Sequence, residues 1–560
     1  MVARLMRSTG LRRTGPGRWL WPGPGTAALV PCRAAGGPPS QSMALPGSEG
    51  DKLKTIKDLP KVGLWEMLYR MVFQGFYNRL HDLQIYEKQL YGPIYVAAFK
   101  TVSLNTGKLL EEVLRKEGKF PSRGDMSLWT DYRDMRGLGY GPFTEEGDNW
   151  YNLRALLNKR MLHPRDAIHY GPAVNDVVTD LIKRVRYLRR TSPCGTLVTD
   201  VCNNLYLFSL EGISTVLFET RIGCLEREIP GGTQHFIDSI GQMFENSAAV
   251  LLLPKWTHRF VPHWHRYVAG WDGIFNFAGQ LIDRKVEDIE RRAADEQQEV
   301  GGEYLTYLLS NTQLSRKEVY GSITELLLAG VDTTSNTLMW ALYLLSRNPE
   351  VQQTLYEEVS GYASADPVLS ADPVLSADPV LSADPVLSAE DVYSMPYLKA
   401  VIRETLRIYP VVVFNSRTNT EKDIVIGGYH FPKNTMFGFC HYAISHDEET
   451  FPEPRRFEPA RWLRAARERP SPFGSIPFGF GARGCVGRRI AELEMYLVLA
   501  RVIQQFKVEP DPAVGEVMPL GRTVLVADRQ VNLRFLDRKG DQSACPSVEV
   551  PPGFTFNRRK

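Results

Sequence analysis

The chain has 560 residues with 67 basic and 64 acidic side chains, and 43% of it is hydrophobic, enough for a large buried core. Its net charge of +3 sits at one end: residues 1–48 carry Arg4, Arg7, Arg12, Arg13, Arg18 and Arg33 with no lysine and no acid, and the slightly acidic remainder argues against nucleic acid as the main partner. Seven cysteines, an odd number without a CxxC pair, support neither a disulfide framework nor a zinc site and suit a reducing compartment.

An Arg-rich, acid-free start has the composition of a mitochondrial presequence. It lacks the roughly 20-residue apolar run of a bilayer span, because Pro22 and Pro24 break the nearest candidate, Trp19–Val30. Residues 49–538 then read as one mainly α domain with a small β portion. Apolar spacing predicts a helix within Trp65–Leu83, and Tyr91-Gly-Pro-Ile-Tyr95 leads into a short strand. Trp150 and Arg154 are four apart on a helix and point together, both as hydrogen-bond donors. Helical patterns run to Glu290. Within them, Leu251–Trp264 mixes aliphatic, aromatic and basic side chains without acids, and reads equally as a shallow membrane contact or as a loop capping a substrate pocket.

Ser315–Asn348 reads as one long helix, opened by a Ser315/Glu318 capping box and closed by Pro349. It is long enough to cross the domain, about 50 Å, and its centre is apolar on nearly all faces, hence buried. Inside that centre lies Ala329-Gly-Val-Asp332-Thr333-Thr334, where a buried acid and hydroxyls need compensation or a use. Gly330 weakens the helix there, and a threonine hydroxyl can take an i−4 carbonyl and open the turn. Residues 364–387 are four copies of Ser-Ala-Asp-Pro-Val-Leu, whose regular prolines predict an extended, mobile insertion. On the next helix Glu404 and Arg407 share a face, while Lys399 and Arg403 stack as like charges. Residues 539–560 read as a loose tail.

The most specific signal is Phe478-Gly-Phe-Gly481-Ala-Arg483-Gly-Cys485-Val-Gly487, a glycine-broken loop that runs into a helix. It presents one thiolate to a haem iron, with Arg483 placed for a haem propionate and the helix N-terminus stabilising the sulfur anion. A thiolate ligand favours O–O cleavage over oxygen carriage.

This loop resembles the haem-binding loop of the cytochrome P450 monooxygenases, and the likeness runs from about Leu53 to Asp537. The stretches Tyr140–Tyr151, Arg221–Leu225, Glu325–Leu338 and Pro477–Met495 are similar to the mitochondrial sterol and vitamin D hydroxylases, with the sterol 27-hydroxylase branch nearest. The resemblance implies haem b held through Cys485, with Phe478, Gly481 and Gly487 shaping the loop and Trp150, Arg154, Arg417 and Arg483 on the propionates. It implies that Thr333 and Asp332 deliver protons, and that Glu404, Arg407 and Arg461 form a structural lock. Leu326–Gly330, Val411–Phe414 and Thr523–Val526 would line an apolar pocket. The implied substrate is a sterol or secosteroid, and the implied reductant an adrenodoxin-like mitochondrial ferredoxin served by an NADPH reductase. That ferredoxin would dock on Lys399, Arg403, Arg488 and Arg489, and the enzyme would sit on the matrix side of the inner membrane as a peripheral protein. Val413 and Phe414 stand where family members commonly have proline before Asn-Ser-Arg, which leaves ring hydroxylation of a secosteroid or desaturation of a retinoid open. A haem-thiolate isomerase and a noncatalytic haem or lipid carrier are the readings from other classes.

Overall fold

The computed structural model describes residues 53–538 apart from 163, 295–303, 310–313, 364–385 and 467–468, so the presequence, the C-terminal tail and nearly all of the repeat lie outside the described residues. The apolar spacing over Trp65–Leu83 forms separate pieces: α1 (Leu64–Phe73), a 3-10 turn at Phe76–Asn78, and a helix from Leu80 to Tyr91. Gly75 causes the break, since its φ of +76° is a left-handed conformation that glycine adopts without strain. The expected strand, β1 (Ile94–Val96), follows and pairs antiparallel with β2 (Val102–Leu104).

The helices that position the site come next: α2 (Gly147–Met161), α3 (Val201–Phe218), α4 (Thr233–Leu252) and α5 (Pro262–Ala294). By length and composition α3 could cross a bilayer, but 83% of it is buried, so its apolar character serves the core. Its Glu211 carboxylate accepts the backbone N–H groups of Ile222, Gly223 and Cys224 and an ion pair from Arg221. The Arg221–Leu225 motif is therefore a turn wrapped around a buried acid.

The long helix is α6 (Arg316–Arg347), uninterrupted α-helix opened by the reciprocal Ser315/Glu318 box. Packed around it are α3, α5, α7 (Pro396–Ile408) and α8 (Arg488–Gln505), which gives one continuous helical core. Gly330 lets α3 come close: a Cβ there would lie 2.7 Å from Ile213 Cγ1. The smaller β portion holds β3 (Phe414–Thr418) and β4 (Met436–Cys440) in a sheet of order β1-β2-β4-β3, with β2 and β4 parallel. A second apolar cluster, centred on Phe431, Phe437 and Phe439, fixes that sheet. The hairpin of β5 (Pro519–Gly521) and β6 (Leu525–Ala527) is tied to the segment before β3 by Leu525 N–H donating to the Val411 carbonyl at 2.8 Å.

Candidate active site

Two left-handed glycines, Gly479 (φ +70°) and Gly481 (φ +71°), fold the chain before α8 into a tight loop. The Cys485 N–H closes it by donating to the Phe478 carbonyl at 2.8 Å, and Gly484 N–H donates to Gly481 O at 3.0 Å. Gly487 is the N-cap of α8, and its N–H is directed at the Cys485 sulfur. Burial pushes the thiol pKa up, opposed by that N–H and by Arg154, Arg123 and Arg488. The sulfur is thus deep in the molecule, yet its own surface is accessible. Together these place it on the wall of an internal crevice, where a ligand could reach it. The Phe478 ring lies under the Arg488 guanidinium at 5.3 Å.

Arg123, Arg154, Arg417 and Arg483 converge beside this loop. Burial first, and then repulsion from the other three guanidiniums, lowers Arg123 to about 9; burial, with Arg417 and Arg154, lowers Arg483 to about 10. Among the described residues two carboxylates pair with the cluster: Glu117 holds Arg417 at 2.5 Å and Glu146 holds Arg483 at 2.9 Å. Arg154 donates to neutral oxygens, the Gly484 carbonyl at 2.6 Å and Asn158 at 2.7 Å. Arg123 Nε and the buried Trp150 Nε1 have no hydrogen-bond partner among the described residues. Two unanswered positive charges and two orphaned donors fit a ligand bearing a pair of carboxylates, as the haem propionates are.

The cluster differs from the sequence expectation in two respects. Arg483 stands over the Trp150 ring at 3.8 Å and donates to the carbonyls of Pro121, Pro142 and Glu145, so most of its donors clamp neighbouring loops. Arg123 was not singled out by its sequence, because a lone arginine in a loop carries no signal until the chain folds it beside three others. His441, next to Arg417, is held neutral by burial, which pushes its pKa down to about 4.

On α6, Thr333 Oγ1 donates to the Ala329 carbonyl at 2.7 Å. The turn stays closed, since the hydroxyl shares that acceptor with the helix instead of opening it. Asp332 is buried, which raises its carboxyl to about 6 against a hydrogen bond from Tyr206 that favours the ionised form. Of the expected pocket segments, Leu326–Leu328 are buried, while Val412 and Phe414 have accessible surface. The Val413 carbonyl is anchored by Gln84 Nε2 at 3.0 Å and by His441 N–H at 3.1 Å. Val413, at the family proline's position, is therefore buried with its backbone held, and the phenyl ring of Phe414 that follows it is accessible.

Glu404, Arg407 and Arg461 are brought together. The Glu404 carboxylate accepts Arg407 Nη2 at 2.8 Å, Arg461 Nε at 3.3 Å and Trp462 Nε1 at 2.8 Å. Arg407 also donates to the carbonyls of Ser445, Pro454 and Arg456, so one buried pair ties α7 to the chain that leads into the cysteine loop. Arg488 and Arg489 share the single carboxylate of Glu492, at 2.9 and 3.2 Å. Arg403 is exposed, and both it and Arg488 act on Tyr496, so these cations share a face. Lys399, one turn before Arg403 on α7, acts on Glu358.

The model of the cytochrome P450 family matches residues 60–535. Mitochondrial sterol 26-hydroxylase of Homo sapiens is 46% identical over 539 residues, which cover 94% of this chain and 97% of that protein. The Rattus norvegicus enzyme of the same name is also 46% identical, over 88% of this chain and 91% of its own length. Mitochondrial 25-hydroxyvitamin D-1 alpha hydroxylase of Homo sapiens is 42% identical over 87% of this chain and 93% of its own.

Proposed function

Because the chain belongs to the cytochrome P450 family and is a haem-dependent monooxygenase, we propose that it hydroxylates a sterol or secosteroid in mitochondria, at the cholesterol side chain first and also on vitamin D. The observation that carries the reading is Cys485, an accessible sulfur at a helix N-terminus beside an arginine cluster short of two negative charges. The substrate class rests on the names of the relatives, which act on sterols and on 25-hydroxyvitamin D.

When bound, haem supplies oxygen activation: dioxygen, two electrons, two protons and a C–H bond become an alcohol and water. In this reading Cys485 ligates its iron, while Arg123, Arg154 and Arg417, with Trp150 and the remaining Arg483 donor, hold its propionates. Thr333 and Asp332 hold and pass the protons. Leu326–Gly330, Val411–Phe414 and Thr523–Val526 face the apolar substrate. Electrons come from a reduced ferredoxin that docks on Arg403, Arg488 and Arg489, with Lys399 at the margin. Residues 1–48 direct the chain to the matrix. Trp65 and Phe73 on α1, and Trp256 and Phe260 after α4, are 71–82% exposed and support a peripheral contact with the inner membrane. Phe414 favours one second reading, a shifted site of oxidation on the same substrate class.

The test is a carbon monoxide difference spectrum of the reduced protein, followed by product analysis on sterols, secosteroids and retinoids with ferredoxin, its reductase and NADPH. The thiolate band that names the family and a hydroxylated sterol are expected, and Cys485→Ala should lose both. Turnover that needs no NADPH would replace the reading with an isomerase.

A further inference from the structure

Beside α6, a polar cleft of about 820 Å³ opens between α3, α4 and the β5–β6 hairpin, and Asp332 stands on its wall. Adjacent residues on a helix point about 100° apart, so the neighbouring Thr333 faces elsewhere, with its hydroxyl on the Ala329 carbonyl. Beside the acid lies Tyr206 of α3, which lines the same cleft and whose hydroxyl acts on the Asp332 carboxyl in favour of its ionised form. Asn336, one turn along α6, donates from Nδ2 both to the Tyr206 oxygen at 2.8 Å and to the Asp332 carbonyl at 2.8 Å. With that amide donating to its oxygen, the Tyr206 hydroxyl is left to aim its own hydrogen at the carboxylate. The donor order runs from the Asn336 amide to the Tyr206 phenol, with the acid beside it on the cleft wall.

We propose that Tyr206 is a positioning residue for the oxygenation: oriented by Asn336, it holds the Asp332 carboxyl at the cleft wall, so that protons enter the reaction through this cleft. The inference rests on the assignment of Asp332 and Thr333 to proton delivery. Water in the cleft gives a proton to the Asp332 carboxylate. Because the two side chains point apart, the proton would pass from the acid to the Thr333 oxygen through intervening water as that hydroxyl's own proton leaves toward the reacting oxygen, and the cleft recharges the carboxylate; no electrons move. The charged and titratable groups lining the cleft with Asp332 are Tyr206 and Cys202 of α3 with its N-cap Asp200, Asp238 and Glu245 of α4, His263 and Arg266 of α5, Arg522 in the hairpin and Arg529 just past it, and Tyr77 of the 3-10 turn.

The experiment compares Tyr206→Phe and Asp332→Asn with wild type as haem-loaded enzymes, normalised by the reduced carbon monoxide band. Product per NADPH, peroxide released and sterol KM are read across the neutral pH range. Tyr206→Phe is expected to cut product per NADPH by about tenfold, the loss of one hydrogen bond to a charged group, with KM unchanged. Its coupling should also persist to higher pH, because the acid form loses its competitor. A merely structural tyrosine would lower thermal stability and leave coupling and its pH profile at wild type, and that result overturns the proposal. If Asp332→Asn uncouples while Tyr206→Phe does not, the Tyr206 role alone fails. If Asp332→Asn couples normally, the proton role of Asp332 fails with it.

Discussion

Asp332 is held where ionisation is costly, and its value to the protein has to exceed that cost. Its carboxyl is raised to about 6 by burial, against about 3.9 in an unfolded chain. Between those values the folded protein binds the proton more tightly than the unfolded chain does, so stability falls as pH rises across the window and the penalty is complete above it. Asp332→Asn is therefore expected to stabilise the protein at pH 7 by roughly 2–3 kcal/mol, a gain that shrinks as pH falls toward 4, measured by thermal unfolding at several pH values. Arg123 makes the opposite case. Its guanidinium lies among three others, with an unpaired Nε. Arg123→Gln should relieve that repulsion and fold normally by circular dichroism, yet lose haem to an acceptor protein about tenfold faster, since a charge-assisted bond to a propionate is gone.

At the scale of the elements, α7 and the chain before the cysteine loop are held together by one buried ion pair. Glu404 and Arg407 are fully buried, and every donor of the arginine's forked end reaches the carboxylate or a carbonyl from Ser445, Pro454 or Arg456. Removing one partner leaves a buried charge unanswered, a loss of about 3–5 kcal/mol. Arg407→Ala is expected to yield little haem-loaded protein, and what folds should unfold at lower denaturant; a denaturant midpoint equal to wild type would contradict the lock. Their i, i+3 spacing marks, on most helices, a weak surface contact. Burial turned the same two residues into a structural joint, and burial depends on segments some 40 to 60 residues away.

At the scale of the whole molecule, the charge balance hides a surface with separate faces. Arg488 and Arg489 share the carboxylate of Glu492 and the exposed Arg403 acts with Arg488 on Tyr496, while Lys399 has Glu358 beside it. Arg403→Glu should raise the KM for ferredoxin several-fold at low salt, with the difference fading as ionic strength rises, because a field between exposed charges is screened within about 10 Å at 0.1 M salt. Lys399→Glu should change that KM little. Steady-state reduction at two salt concentrations separates the two variants, and equal effects would remove the distinction between them.

The primary structure by itself determined what is local in chain order: the capping box of α6, the glycine-broken turn that carries Cys485, the apolar centre of the long helix and the acid-free first 48 residues. Each depends on neighbours within a few residues, where periodicity, caps and left-handed glycines act. Tertiary structure alone decided which distant groups meet. It placed Arg123 among Arg154, Arg417 and Arg483, turned Arg483 onto Trp150 and three carbonyls, and brought Tyr206 to Asn336 and Asp332. A side chain's charge, burial and partners are properties of the space around it, and that space is furnished by residues the chain brings in from tens to hundreds of positions away.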